Sequence, residues 1–271
     1  MKILIISGSR ADAGILAPVK KALESDAYFE VSELKIWNSS FPFAYELVAS
    51  AVNIRRPDML LVLGDRFEIL AAATAAHLNR VPIAHIGGGD VTLGSYDDAM
   101  RDCISRMATI HFTTSAIAQE RLWDRQYKPV YLVGSPGVDV ILKGEWKTGE
   151  PAIANPYVVV NYQTETIDGT VDLEAVNSAI AGRNAIWIKP NPDRGNEAIP
   201  ATWDFTHHEY LNLIYHCEEL IGNSSSLLYE APFFDPPVKT RMIGKRQRGR
   251  VQPFGDGHAC ERIVRILKDY K

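Results

Sequence analysis

Short runs that are apolar at nearly every position recur along this chain, and each is followed by a segment of helical character. KILIISG (2–8), FEVSELKI (29–36), MLLVLG (59–64), PIAHIG (82–87), IHFTT (110–114) and VYLVGS (130–135) come first. After Pro151 the pattern restarts with YVVVNY (157–162), AIWIKP (185–190), ELIGN (219–223) and VKTRMIG (238–244). A strand with one wet face alternates polar and apolar; one apolar throughout must be covered on both faces, as in a parallel sheet between helices. Helical segments are read at 67–79, 97–107 and 116–125, the first so rich in alanine that it must pack closely on a sheet. The alternation predicts a doubly wound α/β fold. LKGEWKTGEPAIANP (142–156) combines glycine, proline and charge without periodicity and reads as a linker. The expected layout is two Rossmann-like domains, residues 1–145 and 146–271, with a cleft between them. In such folds ligands sit beyond the carboxyl ends of the strands, so those loops carry the functional question.

Composition removes several classes. A formal net charge of -4 gives no global electrostatic case for nucleic acid or an anionic membrane surface. No apolar run approaches the roughly 20 residues of a membrane span. The opening MKILIISGSR has too short an apolar part for a signal peptide and reads as a first buried strand. Three widely spaced cysteines, Cys103, Cys217 and Cys260, cannot all pair within the chain, which suits a reduced, cytoplasmic protein.

The first strand runs into SGSRADAG (7–14), where backbone N–H groups and Arg10 could hold an anion at a helix start. The dinucleotide fingerprint is absent, because Arg10 stands where its second glycine belongs. The plain alternative is a βα turn capped by Asp12, with Pro18 near the start of the regular helix. The third strand ends in GDRFE (64–68), placing Asp65 and Arg66 at the sheet edge, where Asp65 is either functional or a helix cap. Arg66 would favour an ionised Asp65 and could face a phosphate. The fourth strand leads to GGGD (87–90) and then Asp97 and Asp98, which open a helical pattern. These glycines are not a Walker loop, and His85 lacks a second histidine at ligand spacing. IGNSSSLLYEAPFF (221–234) delivers serines to a helix start with Glu230 further on, an arrangement open to phosphate binding or to ordinary capping. GKRQRGR (244–250) is a basic run, either solvated or a diphosphate clamp. It lacks the aromatic interleaving of single-strand nucleic-acid binding.

Taken in order, SGSRADAGILAP (7–18), RPDMLLVLGDRFEILAAA (56–73), PIAHIGGGDVTLGSYDDAMRDCISRMATIHF (82–112), LVGSPGVD (132–139), KPNPDRG (189–195), IGNSSSLLYEA (221–231) and IGKRQRGR (243–250) resemble the UDP-N-acetylglucosamine 2-epimerase family, especially its hydrolysing, sialic-acid-pathway branch. The resemblance implies a GT-B-like fold of two Rossmann-like domains, with UDP held mainly by the second. It implies elimination of UDP from the sugar to a 2-acetamidoglucal, then addition of water to give N-acetylmannosamine. Asp65, Asp90 and Asp98 become the acid/base groups. Arg10, Arg66, Ser224, Ser225, Glu230 and Arg246 become the substrate-binding groups, with Glu230 suited to ribose hydroxyls. No metal or nicotinamide cofactor is implied; the partner is a UDP-sugar, and the oligomer a homodimer.

The chain departs from the family pattern at several points. Asp90 stands in place of glutamate, Asp102 in place of the histidine of an Arg-His pair, and Tyr162 in place of the histidine of a His-Pro pair. The glycine-methionine-histidine loop between residues 34 and 47 is missing, and the chain is shorter than typical members. Two other readings stay open: a non-catalytic nucleotide-sugar-binding protein, and a GT-B glycosyltransferase.

Overall fold

The computed structural model describes residues 1–93, 95–147, 149, 153–165, 167, 170–191, 193–200, 203–244, 247–248 and 254–270. The chain begins with β1 (Lys2–Ser7), α1 (Arg10–Glu24), β2 (Glu30–Lys35), α2 (Phe41–Arg55), β3 (Met59–Leu63), α3 (Phe67–Leu78) and β4 (Ile83–Ile86). Next come β5 (Thr92–Leu93), α4 (Asp97–Met107), β6 (Ile110–Thr113), α5 (Ala116–Asp124), β7 (Val130–Leu132) and α6 (Pro136–Leu142). Then follow β8 (Val158–Asn161), α7 (Leu173–Ile180), β9 (Ala185–Trp187), α8 (His207–His216), β10 (Leu220–Gly222) and α9 (Ser226–Tyr229). The last elements are β11 (Thr240–Met242), β12 (Gln247–Arg248) and α10 (Ala259–Asp269). Every strand expected from the apolar runs forms. The short β5 and β12, which no periodicity marks, pair antiparallel with each other.

The chain divides into two compact units: Met1–Val91 with Asp97–Asp139 and Pro253–Lys271, and Thr92–Tyr96 with Val140–Gln252. The first unit carries a parallel sheet in the order β2-β1-β3-β4-β6-β7. Side chains alternate between its faces, and on the central strands β1, β3, β4 and β6 both faces are dry. Leu4, Ile6, Leu60, Val62 and Ile83 point toward α2 and α3, where the alanines 71–73, 75 and 76 are fully buried. Ile3, Ile5, Met59, Leu61, Ala84 and Ile86 face Leu16, Val19 and Leu23 of α1 and Ile263 and Leu267 of α10. This two-sided burial is why the strands read as continuous apolar runs. The chain reverses direction between β1 and β3, so the turns after these two strands flank the crevice where a doubly wound sheet receives a ligand.

The second unit has a smaller parallel sheet, β11-β10-β8-β9, with its own reversal between β8 and β10. Its core gathers Tyr157, Val159, Leu211, Leu213, Ile214 and Leu220. Among the described residues no helix is long and apolar enough to cross a membrane.

Three expectations change. A single cut after residue 145 would put the C-terminal helix in the second unit, whereas α10 lies in the first. There the buried carboxylate of Asp139 accepts from the backbone N–H groups of Ala259 (3.0 Å) and Cys260 (2.8 Å), capping α10 from 120 residues away. The stretch read as a linker contains Trp146, which is buried against Tyr215 and Phe234 with ring centroids 4.7 and 4.9 Å away. Finally, α1 starts at Arg10 and runs through Pro18. The cap is Ser9, which accepts from the N–H of Asp12 at 3.1 Å, rather than Asp12 itself. Pro18 has no N–H for the carbonyl of residue 14, and burial of Leu16, Val19 and Leu23 outweighs that loss.

Candidate functional site

In the first unit, Arg101 organises the carboxyl edge of the sheet. It sits one turn into α4 and is buried, so its charge must be met by protein groups. Its guanidinium donates to the Asp65 carboxylate after β3, to the Asp98 carboxylate three residues back on its own helix, and at 2.6 Å to the backbone carbonyl of Asp90. One side chain therefore gathers the Asp65 and Asp98 carboxylates and the backbone of Asp90. Asp65 is not a helix cap, because the residue preceding α3 is Arg66. Asp97 and Asp98 form the first turn of α4, where negative charge suits the helix dipole. The Asp90 carboxylate itself accepts from the Thr114 hydroxyl at 3.1 and 3.3 Å.

Behind this group lies His85 on β4. A carbonyl can only accept, so the 2.8 Å contact with the oxygen of Gly64 makes Nε2 the protonated nitrogen. Nδ1 then accepts from Ser105 of α4 at 3.0 Å. Burial pushes the imidazole down to about 3, so His85 is a neutral strut that ties the end of β3 to α4. Glycines 88 and 89 serve packing. A Cβ on Gly88 would come within 2.8 Å of Ser105 Oγ, and one on Gly89, whose φ is +82°, within 2.3 Å of the carbonyl of Ala118.

Asp12, on the first turn of α1, is electrostatically coupled to Arg66, Asp65 and Glu68. Its Oδ2 is buried without a hydrogen-bond partner. Burial raises this carboxyl to about 7, against the opposing pull of Arg66 and Ser9. Arg66 forks onto Glu68 at 3.1 and 3.2 Å, and Glu68 is wholly buried. Arg10 lies at the start of α1, its pKa lowered by burial. Asp102 turns instead to Arg125.

In the second unit, Asn223 after β10 clasps the loop after β8. It accepts from Gln163 N–H at 2.7 Å and donates to the Gln163 carbonyl at 2.8 Å. Ser224 Oγ accepts from the N–H of Ser226 at 3.4 Å, and Ser224 N–H donates to the Asn161 carbonyl at 3.3 Å. Ser225 precedes α9, but its hydroxyl makes no capping bond. Glu230 is buried, with Oε1 2.7 Å from His207 Nε2 and Oε2 2.5 Å from Ser226 Oγ. Tyr162 is fully buried and accepts from the N–H of Asp172 at 3.1 Å; burial raises its pKa. Arg246 lies outside the described residues. Among the described residues no three His, Cys, Asp or Glu side chains are grouped to hold a metal.

With these two strand-end groups in place, the sequence matches the family described as UDP-N-acetylglucosamine 2-epimerase over residues 40–253. The chain belongs to the UDP-N-acetylglucosamine 2-epimerase family. It is 32% identical over 248 residues to polysialic acid biosynthesis protein P7 of Escherichia coli, covering 79% of this chain and 63% of that protein. It is 28% identical over 243 residues to the GDP/UDP-N,N'-diacetylbacillosamine 2-epimerase (hydrolyzing) of Campylobacter jejuni, again covering 79% of this chain and 63% of the relative. The chain thus matches less than two thirds of the length of these two relatives. The fold is that of the UDP-GlcNAc 2-epimerase of Methanocaldococcus jannaschii, solved in complex with UDP-GlcNAc and UDP. The two agree with a TM-score of 0.81 at 18% identity over 100% of both chains. The GT-B-like α/β class expected from the sequence holds.

Several residues in these groups were not singled out as site residues in the sequence. Arg101 had a signal, its place three residues after Asp98 on one helical face. His207 had none, because only the fold brings α8 to Glu230.

Proposed function

We propose that this epimerase-family chain acts on UDP-N-acetylglucosamine or a close relative by the hydrolysing route. The observation that carries the reading is Arg101 holding Asp65, Asp98 and the Asp90 backbone together at the carboxyl edge of the first unit's sheet. A carboxylate base takes the weakly acidic C2 proton while the C1–O bond to UDP breaks, giving the 2-acetamidoglucal. Water then adds at C1 and a proton returns to C2 on the opposite face, giving N-acetylmannosamine. Asp65, Asp90 and Asp98 share the proton transfers. Asp12, able to keep a proton near neutrality, lies within electrostatic reach of Asp65. Arg10 and Arg66 meet developing negative charge, as does Arg246 by its place in the motif. Ser224, Ser225 and Glu230 are the UDP-binding group, the free Ser225 hydroxyl for phosphate and Glu230 for ribose. A cytoplasmic homodimer belongs to the same proposal, as does the absence of a metal or nicotinamide.

A second reading, a binding protein without turnover, is favoured by Tyr162. It fills the place of the family histidine and is locked by burial and by Asp172. Incubation with UDP-N-acetylglucosamine and related UDP-hexosamines, with UDP release followed over hours, separates the possibilities. Release with no added acceptor, together with a 2-epimerised free sugar, supports the epimerase. Tight binding without release supports the binding protein, and release only with an added acceptor supports a glycosyltransferase.

A further inference from the structure

One chain of hydrogen bonds in the second unit has its direction fixed at both ends. The backbone N–H of Asn191, after β9, can only donate, and it reaches Gln163 Oε1 at 2.8 Å. Gln163 therefore presents its amide N–H to Asn161 Oδ1 at 2.9 Å. Asn161 Nδ2 donates to the Tyr210 hydroxyl at 2.9 Å, and that hydroxyl donates to Ser226 Oγ at 2.7 Å. Ser226 in turn donates to Glu230 Oε2 at 2.5 Å. From the other side His207 Nε2 donates to Glu230 Oε1 at 2.7 Å. Every proton in this chain points toward one carboxylate. Such a series polarises each bond toward its acceptor, and donors converging on both oxygens of a carboxylate favour its ionised form. Burial opposes the charge, but the bonds from His207 and Ser226 and the nearby imidazole hold Glu230 below its ordinary pKa.

The geometry leaves Glu230 with acceptor capacity on both oxygens. An ionised carboxylate has about four lone-pair positions, and the chain uses one on each oxygen. One position on each oxygen remains, and the Glu230 side chain keeps 10% of its surface exposed. Two acceptors on one rigid carboxylate match a vicinal diol. His207 is itself 90% buried, its Nδ1 has no partner, and among the described residues Glu230 is its one hydrogen-bond partner. Its burial as a polar ring is explained by what it does to Glu230.

We propose that His207 is a positioning residue that sets Glu230 to receive the 2′- and 3′-hydroxyls of a nucleoside diphosphate, so that this unit selects ribonucleotides over 2′-deoxyribonucleotides. The inference rests on Glu230 as a ribose-binding group and extends it to α8, which no motif marked. The test compares the affinities of the whole chain for UDP and for 2′-deoxyuridine diphosphate by calorimetry. A hydrogen bond to a charged group sets the expected preference of the native chain for UDP at about tenfold or more. His207→Phe keeps a ring of similar size but loses the N–H, and should weaken UDP about tenfold while leaving the deoxy ligand within about twofold. His207→Gln, which can still donate, should keep most of the preference. Loss of the preference in Glu230→Gln together with its survival in His207→Phe would overturn the role of His207 alone. Equal weakening of both ligands in His207→Phe would do the same, marking His207 as merely structural. No preference in the native chain, or its survival in Glu230→Gln, would overturn the ribose reading of Glu230 itself.

Discussion

Arg101 on α4 and Asp65 at the end of β3 form a buried ion pair across 36 residues of sequence, and the same guanidinium also holds Asp98. The guanidinium is thus the shared partner of both carboxylates. Arg101→Leu should therefore cost about 3 kcal/mol of folding stability, because it takes the partner from the buried Asp65 carboxylate. Arg101→Lys keeps the charge but not the fork, and should recover only part of it. Urea denaturation measures both. A loss below about 1 kcal/mol in the leucine variant would mean that the pair does not hold the sheet edge together.

Asp98 and Ser225 should separate chemistry from binding. Asp98→Asn is expected to abolish UDP release from the sugar nucleotide while UDP affinity stays within about twofold. Ser225→Ala is expected to weaken UDP by about tenfold and to leave the thermal midpoint unchanged, since this hydroxyl caps nothing. Titration calorimetry beside a UDP-release assay reads both. Equal loss of binding and turnover in Asp98→Asn would make Asp98 a structural residue.

Stability should depend on pH through two groups of opposite sign. Asp12 has a folded-state pKa of about 7, above its unfolded value of 3.8, so its contribution is present below 3.8 and is lost as pH rises to 7. His85 is depressed from 6.5 to about 3, and His111, its neighbour across β6, to about 4. Their contribution is present above 6.5 and is lost as pH falls toward 3. Asp12→Asn should therefore gain stability relative to the native chain as pH is raised from 4 to 8. His85→Gln, which can still donate to Gly64 and accept from Ser105, should flatten the acid limb. Denaturation midpoints at intervals across this range give both slopes, and a pH-independent difference for either variant would contradict its assignment.

The sheets were legible because strands dry on both faces leave an unmistakable run of Val, Ile and Leu, and α3 was legible from its alanines. Asp65 and Asp90 were legible as carboxylates beyond strand ends, because the ends of β3 and β4 can be read from where the apolar runs stop, and Asp98 as a residue opening a helix. What joins them was not. Arg101 looks like any helix arginine until α4 is packed on the sheet, and Glu230 shows no trace of His207, which lies 23 residues earlier. The Ser9 cap was misread as Asp12 because both residue types cap helices, and only the start of α1 at Arg10 decides between them. The Asp139 cap of α10 was missed because its bond spans 120 residues.

The central claim is that this chain eliminates UDP and re-protonates C2 on the opposite face. Proton NMR of the sugar released from UDP-N-acetylglucosamine in heavy water tests it most directly. The account predicts free N-acetylmannosamine carrying deuterium at C2, formed together with UDP. Release of N-acetylglucosamine with its C2 proton retained would contradict it, because UDP would then have left by simple hydrolysis without any work from the carboxylates around Arg101.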